Sequence, residues 1–329
     1  MILKNKKTLL ALIVLAVFFG VSALGVKLTV QRKAQAKVDA VFAGWENFCD
    51  LKYDKVNASL LKQSVSIEDI QVSTPFLGGS IGSVIINDYK PGIEVQMPNG
   101  RTRPIPESMD VSFEKISVPV NDNLEKLSKN PIVAEQLFQQ INSVVQSLEL
   151  GEEIVVNYQI TSNSDFQKNK HFMNASIEFE GIFQLNEKVE VSGFDIARFM
   201  VKAQEFQHQG VKNPMGKPEL LLDIALEHMS FELINETLID KIFAAAAHNS
   251  NQTPEMLRQQ ASAQIVNSQP GAKTPDIARQ FSIALLEMIN GDRKKLKITA
   301  SPKMPVKLEE LVNSQNTEEA VEKLSLSIN

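Results

Sequence analysis

Val65-Ser66-Ile67-Glu68-Asp69-Ile70-Gln71-Val72 is the stretch whose reading decides the architecture of this 329-residue chain. Two apolar residues alternate with polar ones, a polar pair follows, and two more apolar residues alternate after it. A period of two marks a strand with one buried face. At the polar pair the alternation slips by one place. That slip turns the second half of the apolar set to the opposite face unless a bulge absorbs the extra residue. The pattern recurs at Val111-Ser112-Phe113-Glu114-Lys115-Ile116-Ser117-Val118. A looser copy is Ile224-Ala225-Leu226-Glu227-His228-Met229-Ser230-Phe231. Chance recurrence of a degenerate pattern is the plain alternative. We read the three copies as bulged strands of one long, curved, mostly antiparallel sheet.

The surrounding sequence supports strands from residue 51 onward. Ile154, Val156, Tyr158 and Ile160 alternate with more polar neighbours, as do Ile177, Phe179, Phe183 and Leu185, with a polar loop at 162–165 between the two sets. Helices interrupt this texture. Asn130-Pro131 opens one through Leu148, and Phe194 to Gln209 forms another. Thr253-Pro254-Glu255 and Thr274-Pro275-Asp276 each combine a capping hydroxyl, a preset φ and an acid at the positive end of the helix dipole. The second of these helices runs to Asn290 and stops at Gly291. Leu296 to Thr299 reads as a strand, Pro305 to Asn313 and Thr317 to Lys323 as short helices, and Ser325 to Ile328 as a segment that closes the sheet. The fold class is α+β.

Upstream, Lys4, Lys6 and Lys7 precede an uncharged apolar run from Leu9 to Val26, long enough to cross a bilayer as a helix. A cleaved signal peptide is the competing reading, with Val21-Ser22-Ala23 as its cleavage site. The apolar run continues past that site, which favours an uncleaved anchor. Lys4, Lys6, Lys7 and Lys27 flank the anchor, and the tight basic cluster before it places the N-terminus in the cytoplasm. From Lys27 to Asp50, Val38, Val41, Phe42, Trp45, Phe48 and Cys49 fall at helical spacing. The expected organisation is therefore a cytoplasmic tail at 1–7, a transmembrane anchor at 8–26 and an amphipathic helical extension at 27–50. An exported α+β domain follows at 51–329, with a candidate sub-boundary near 193–219.

Seven of the 34 Lys and Arg residues lie before residue 38 and none of the 39 acids does, so the remainder carries a net charge of −12. An acidic domain excludes nucleic acid as a partner class, since that binding neutralises phosphates with Lys and Arg. Cys49 is the only cysteine, so the chain has neither an internal disulfide nor a cysteine-based metal site. An exported protein of that kind suits the bacterial periplasm.

Candidate chemistry is sparse. Ser59-Leu60-Leu61-Lys62 matches the Ser-x-x-Lys spacing of some acyl-transfer enzymes, in which the Lys lies one helical turn from the nucleophile, but the companion motifs are missing. Gly78-Gly79-Ser80-Ile81-Gly82 reads as a glycine-rich turn between strands, without the Gly-Lys-Ser/Thr of a phosphate loop. His171, His208, His228 and His248 are scattered, with no partner at metal-ligand spacing. No catalytic residue, cofactor or metal is expected, and an enzyme is not the expected class. If the inner face of the sheet forms a groove, Ile67, Phe113, Ile177, Phe179 and Phe183 are its candidate residues.

The anchor, followed by Leu51-Lys52-Tyr53 through Ser64-Val65-Ser66-Ile67-Glu68-Asp69-Ile70-Gln71-Val72, resembles the opening of AsmA-like and related envelope proteins of Gram-negative bacteria. Leu296-Lys297-Ile298-Thr299-Ala300-Ser301-Pro302, with Met304-Pro305-Val306, is similar in character to segments of uncharacterised proteins of this kind. The chain departs from them in being short and rich in helix. The resemblance implies an exported curved sheet with an apolar inner face, tied to lipid handling or envelope upkeep, and carries over no binding residue. The expected function is that of a single-pass inner-membrane protein, with the bulk of its chain in the periplasm, that binds membrane lipid or an apolar partner segment. The alternative is a scaffold subunit that contacts envelope proteins and has no lipid groove.

Overall fold

The computed structural model describes residues 35–36, 38–39, 49–59, 64–74, 77–129, 139, 142, 145, 150–209, 223–267, 276–312, 314 and 317–329. The anchor at 8–26, its flanking Lys4, Lys6, Lys7 and Lys27, and most of the expected helix at 130–148 lie outside these residues. Among the described residues no helix is long and apolar enough to cross a membrane.

The fold is α+β, built on one large open antiparallel sheet with twelve strands among the described residues. The main strands are β3 (Ser64–Ser73), β4 (Gly78–Gln96), β5 (Thr102–Pro119), β6 (Glu153–Asp165), β7 (Lys170–Phe179), β8 (Phe183–Ser192), β9 (Ala225–Asn235) and β10 (Lys295–Ala300). They pair in chain order, so neighbours in sequence are neighbours in the sheet. One edge is made by β1 (Asp50–Lys52) and β2 (Lys55–Ser59) against β3. At the other, β11 (Val306–Lys307) pairs with β9, and β12 (Leu326–Ile328) pairs with β10. The pairing of β8 with β9 carries the sheet unbroken across the 193–219 stretch.

The slip in the repeated pattern is absorbed within the strands. Val65, Ile67, Ile70 and Val72 all enter one core cluster with Ile81, Val84, Ile86, Val111 and Phe113, so no face is exchanged. Asp69 and Lys115, at the polar pairs of the first two copies, take left-handed φ values of 55° and 54°. The register sets Asp69 and Lys115 opposite Gly82 from its two sides. A Cβ on Gly82 would lie 3.2 Å from Lys115 Cβ and 3.3 Å from the Glu114 carbonyl, so a side chain there would press on the crease. Toward β6, Glu114 and Lys115 share one partner, Asn157, in a β-bulge. The Asn157 Oδ1 accepts the Lys115 N–H at 2.8 Å and replaces the ladder bond lost there. The third copy solves the same problem differently, with Glu227 as the extra residue of a bulge between β9 and β8.

Several expectations need correction. Gly78 to Gly82 is not a turn: it opens β4. Gly79 passes so close to β5 that a Cβ would lie 2.5 Å from the Ser117 carbonyl, so these glycines serve strand approach. The helical extension stops short of Asp50, because Asp50 already pairs with Ser73 in β1. Gln35, Ala36, Val38 and Asp39 are helical, and Val38 is buried in the β3–β5 core. Tyr53 locks this helix to the sheet, receiving a hydrogen bond from Gln35 Nε2 and donating one to Asp39. Trp45 lies outside the described residues. Cys49 is buried, and burial pushes its thiol pKa up, as suits an unreactive apolar side chain.

Helices interrupt the strand order, some of them with local caps. In chain order they are α1 (Val120–Ser128), α2 (Ile196–His208), α3 (Leu238–Ser250), α4 (Pro254–Asn267), α5 (Asp276–Asn290), α6 (Leu308–Val312) and α7 (Thr317–Leu324). Asp195 accepts the Arg198 N–H at 2.9 Å ahead of α2, and Thr253 accepts the Met256 N–H at 3.2 Å ahead of α4. Gly291 follows α5 at φ 83°, the left-handed stop typical of a helix end. The expected helix from Pro305 is shorter than its pattern, because Val306 and Lys307 are taken into the sheet by β9. Through Ala284 and Met288, α5 packs on Leu296, Leu233 and Ile328 at the β9–β10–β12 end.

Candidate functional site

Directly paired residues in antiparallel strands lie on one face, so the register maps the apolar side of the sheet. One row runs Ile67–Val84–Phe113–Tyr158–Ile177–Leu185–Leu233–Leu296, and the next runs Val65–Ile86–Val111–Ile160–Ala175–Glu187–Phe231–Ile298. The opposite face is polar in the middle strands: Ser176, Gln184, Asn186 and Glu232 are joined there by side-chain hydrogen bonds. The sheet therefore presents one watery face and one apolar face.

Among the described residues, two cavities lie against the apolar face. The larger, about 660 Å³, lies where the ends of β5, β6, β7 and β8 meet α2. Its walls are apolar, with Ile105, Met109, Met173, Val189, Val191 and Met200 among them. Val95, Met97 and Ile105, packed against Ile196 and Met200, bring the β4–β5 hairpin and α2 together beside it. The smaller, about 250 Å³, lies at the other end of the sheet between Leu77, Ile116, Val118, Ile154 and Phe179.

The five groove candidates share one face but not one site. Phe113, Ile177 and Phe179 line the smaller cavity. Phe183 stacks on Phe179, with ring centroids 4.6 Å apart. Ile67 is sealed inside the β3–β5 core and lines neither of these cavities. The larger cavity contains none of the five.

Ser164 and His171 face each other across β6 and β7 and line the larger cavity. The His171 Nε2 lies 2.7 Å from the Phe194 carbonyl, which can only accept, so Nε2 carries the proton and Nδ1 is left to accept. Ser164 Oγ supplies that bond at 2.9 Å. Burial holds the His171 pKa below its usual value, against smaller upward pulls from the Phe194 carbonyl and Asp195. The imidazole is thus neutral at pH 7, and each buried polar group has its partner. Phe166 and Phe194 set their rings edge-on to the imidazole, at centroid distances of 6.0 and 5.4 Å.

Among the described residues, the full charges lining this cavity belong to Arg101 and Arg103, and none of the lining residues is a carboxylate. Both follow the turn at Pro98-Asn99-Gly100, where Gly100 has φ 75° and Asn99 Oδ1 accepts the Arg101 N–H. The nearby Asp195 caps α2 and lines a separate small pocket with Arg198 and Lys202. Sequence reasoning missed this site. The available signal was an Arg-x-Arg pair directly after an Asn-Gly turn, but its apolar walls come from four distant segments.

Ser59 is the last residue of β2, paired with Ser64, and Lys62 lies outside the described residues. His228 meets Ser301 at 3.0 Å, and His248 is exposed on α3. The His208 side chain lies outside what is described. Among the described residues no group of His, Cys, Asp and Glu is arranged to hold a metal ion.

No curated protein matches the chain. Residues 176–329, a little under half of the chain, match a family model described as an uncharacterized protein, and this stretch runs from within β7 through α2 to β12 and includes the Val189, Val191 and Met200 wall of the larger cavity.

Proposed function

We propose that this chain is a single-pass protein of the bacterial inner membrane that holds its sheet in the periplasm and binds lipid on the apolar face, in envelope upkeep. It acts as a binding protein and not as an enzyme. The observation that carries this reading is the 660 Å³ cavity, whose size falls within the roughly 300–1,000 Å³ of small-molecule sites. Its walls offer contact to hydrocarbon, where each buried methylene contributes about 0.8 kcal/mol. The apolar run at 9–26 supports the membrane location.

The test is recovery of lipid with the full chain. Wild type is purified from membranes beside Val189→Trp and Met200→Trp, which fill the cavity from β8 and from α2, and each preparation is extracted for mass spectrometry. A lipid species enriched in wild type and depleted several-fold in both variants is expected. Equal recovery from all three defeats the proposal.

One observation favours the scaffold reading. Ile242 on α3, Met256 and Val266 on α4, and Ile283 on α5 are all more than 40% exposed, and α4 buries no residue. Outward apolar side chains on a helical layer fit a protein partner. Site-specific crosslinkers at Met256 and Ile283 should then capture one defined envelope protein; capture of lipid alone tells against this reading.

A further inference from the structure

We infer that the outer half of the β4–β5 hairpin is a lid on the larger cavity, hinged between Asn87 and Ile93, that lifts from α2 to admit a ligand. The lid serves the lipid-binding reading above, yet its motion is tested without lipid, so either can fail alone. The hairpin outgrows the sheet. β3 follows β4 only as far as Ile86, and β6 follows β5 only from Ser108 onward. Beyond those points, residues 90–96 and 102–107 pair with each other alone among the described strands. A two-stranded arm without flanking ladders is marginal by itself, and local opening costs least in such places.

A seam crosses the arm at its root. The β4–β5 register breaks three times between Asn87 and Ile93. Asp88 sits there at φ 52°, in the left-handed region, and its carbonyl accepts the Ser108 hydroxyl at 3.1 Å. Pro91 is paired with Pro106, and neither has an N–H to give, so no backbone donor joins the strands at that pair. Lys90 and Glu107 form an exposed ion pair beside it, which adds little rigidity. The arm can therefore swing on this root as one unit.

What the arm covers is the cavity. Six consecutive residues, Arg101 to Pro106, line it. Val95, Met97 and Ile105 rest on Ile196, Ala197, Met200 and Val201 of α2, an apolar contact that can part and re-form. Gly92 sets how low the arm lies. A Cβ there would fall 2.4 Å from the Ile105 carbonyl and 2.5 Å from the Phe166 ring, closer than real side chains come. The missing side chain lets the arm settle on Phe166, whose ring lies edge-on to His171 in the cavity wall.

The experiment reads access to the cavity in membranes containing the full chain. With Cys49→Ala as background, one protein carries Met109→Cys, at a cavity-lining position 6% exposed. A second carries Val111→Cys, on the same strand in the sealed core and 0% exposed. Alkylation of each thiol by N-ethylmaleimide is timed by mass spectrometry. Gly92→Ala props the arm off Phe166 and should speed alkylation at Met109→Cys about tenfold, as for one overpacked methyl group. Pro91→Val/Pro106→Val returns two N–H groups to the seam and should slow it about threefold. The Val111→Cys thiol should keep its rate in both. If either substitution leaves the Met109→Cys rate unmoved, the arm is not hinged at this seam and the lid is overturned. Rates that change together at the two positions report loosening of the whole sheet and overturn it as well.

Discussion

Over β3, β4 and β5 the apolar face is sealed: Val65, Ile67, Ile86, Val111 and Phe113 are each 2% exposed or less. Over β7 and β9 the same face leaves Met173 and Phe231 at 37% exposure. Both regions follow the same alternation and share register rows, so their sequences differ little in pattern. What differs is the layer above them. The helical segment at Val38 lies in the β3–β5 core, and α5 packs on the β9–β10–β12 end, while the larger cavity opens between the β4–β5 hairpin and α2. A strand pattern specifies which face is apolar, and the covering elements decide whether that face becomes core or site.

The largest effect should come from truncating matched residues in the two regions. Ile67→Ala removes a sealed core side chain and should cost about 2–5 kcal/mol. Met173→Ala, on a half-open stretch of the same face, should cost about 1 kcal/mol or less. Urea unfolding of the full chain and both variants measures this. Equal losses would mean that the β7 region is as tightly packed as the β3 region, and the contrast would collapse.

A second difference lies in how the sealed region ends. Asn123 on α1 is buried and behaves as an extra peptide unit, taking the Gly78 N–H at 2.7 Å and donating to the Gly78 carbonyl at 2.8 Å. Asn123→Ala leaves both Gly78 groups short of a partner and should cost about 1–3 kcal/mol. Hydrogen exchange at the start of β4 should speed up while exchange in β7 stays unchanged. Uniform speeding across the sheet would assign Asn123 a global role.

The crease gives a smaller effect. Lys115 holds φ 54°, where a β-branched residue is strained by roughly 1–2 kcal/mol. Lys115→Val should lose about that much, and Lys115→Gly should lose nothing or gain slightly. Thermal unfolding decides this, and an equal loss in both variants would shift the explanation to the lysine side chain itself.

These contrasts show what could be read from residues in order. The slip at Glu68-Asp69 and Glu114-Lys115 announced a bulge at each. Both Asp69 and Lys115 are left-handed, but a bulge with a shared partner, Asn157, forms at the second alone, while the β3–β4 register passes Asp69 without a shift. Thr253-Pro254-Glu255 and Asn290-Gly291 marked true helix ends, because caps are local. The glycine run at 78–82 was misread because the same residue serves turns and close strand approach, and only the neighbouring strand tells them apart. The cavity was illegible for a related reason. Arg101, Met109, His171, Val189 and Met200 are brought together by register and by one helix, and His171 is defined by a carbonyl 23 residues away.

The last prediction separates the site from the core by pH. His171 is the half-buried titratable group of the larger cavity, and burial holds its folded pKa below the usual value near 6.5. The unfolded chain therefore binds more protons than the folded one between the two pKa values, and stability rises with pH across that window. The His171 contribution is fully present above about pH 6.5 and declines as pH falls toward the folded pKa. Protonation also turns Nδ1 from an acceptor into a donor and reverses its bond with Ser164. His171→Phe loses that bond at every pH, so its own cost is constant, and what it removes is the slope. Denaturant unfolding at pH 5, 6 and 7 should show a gap between wild type and variant that narrows as the pH is lowered. A gap independent of pH would mean that the imidazole titrates as in water, and that the cavity around it is open to solvent.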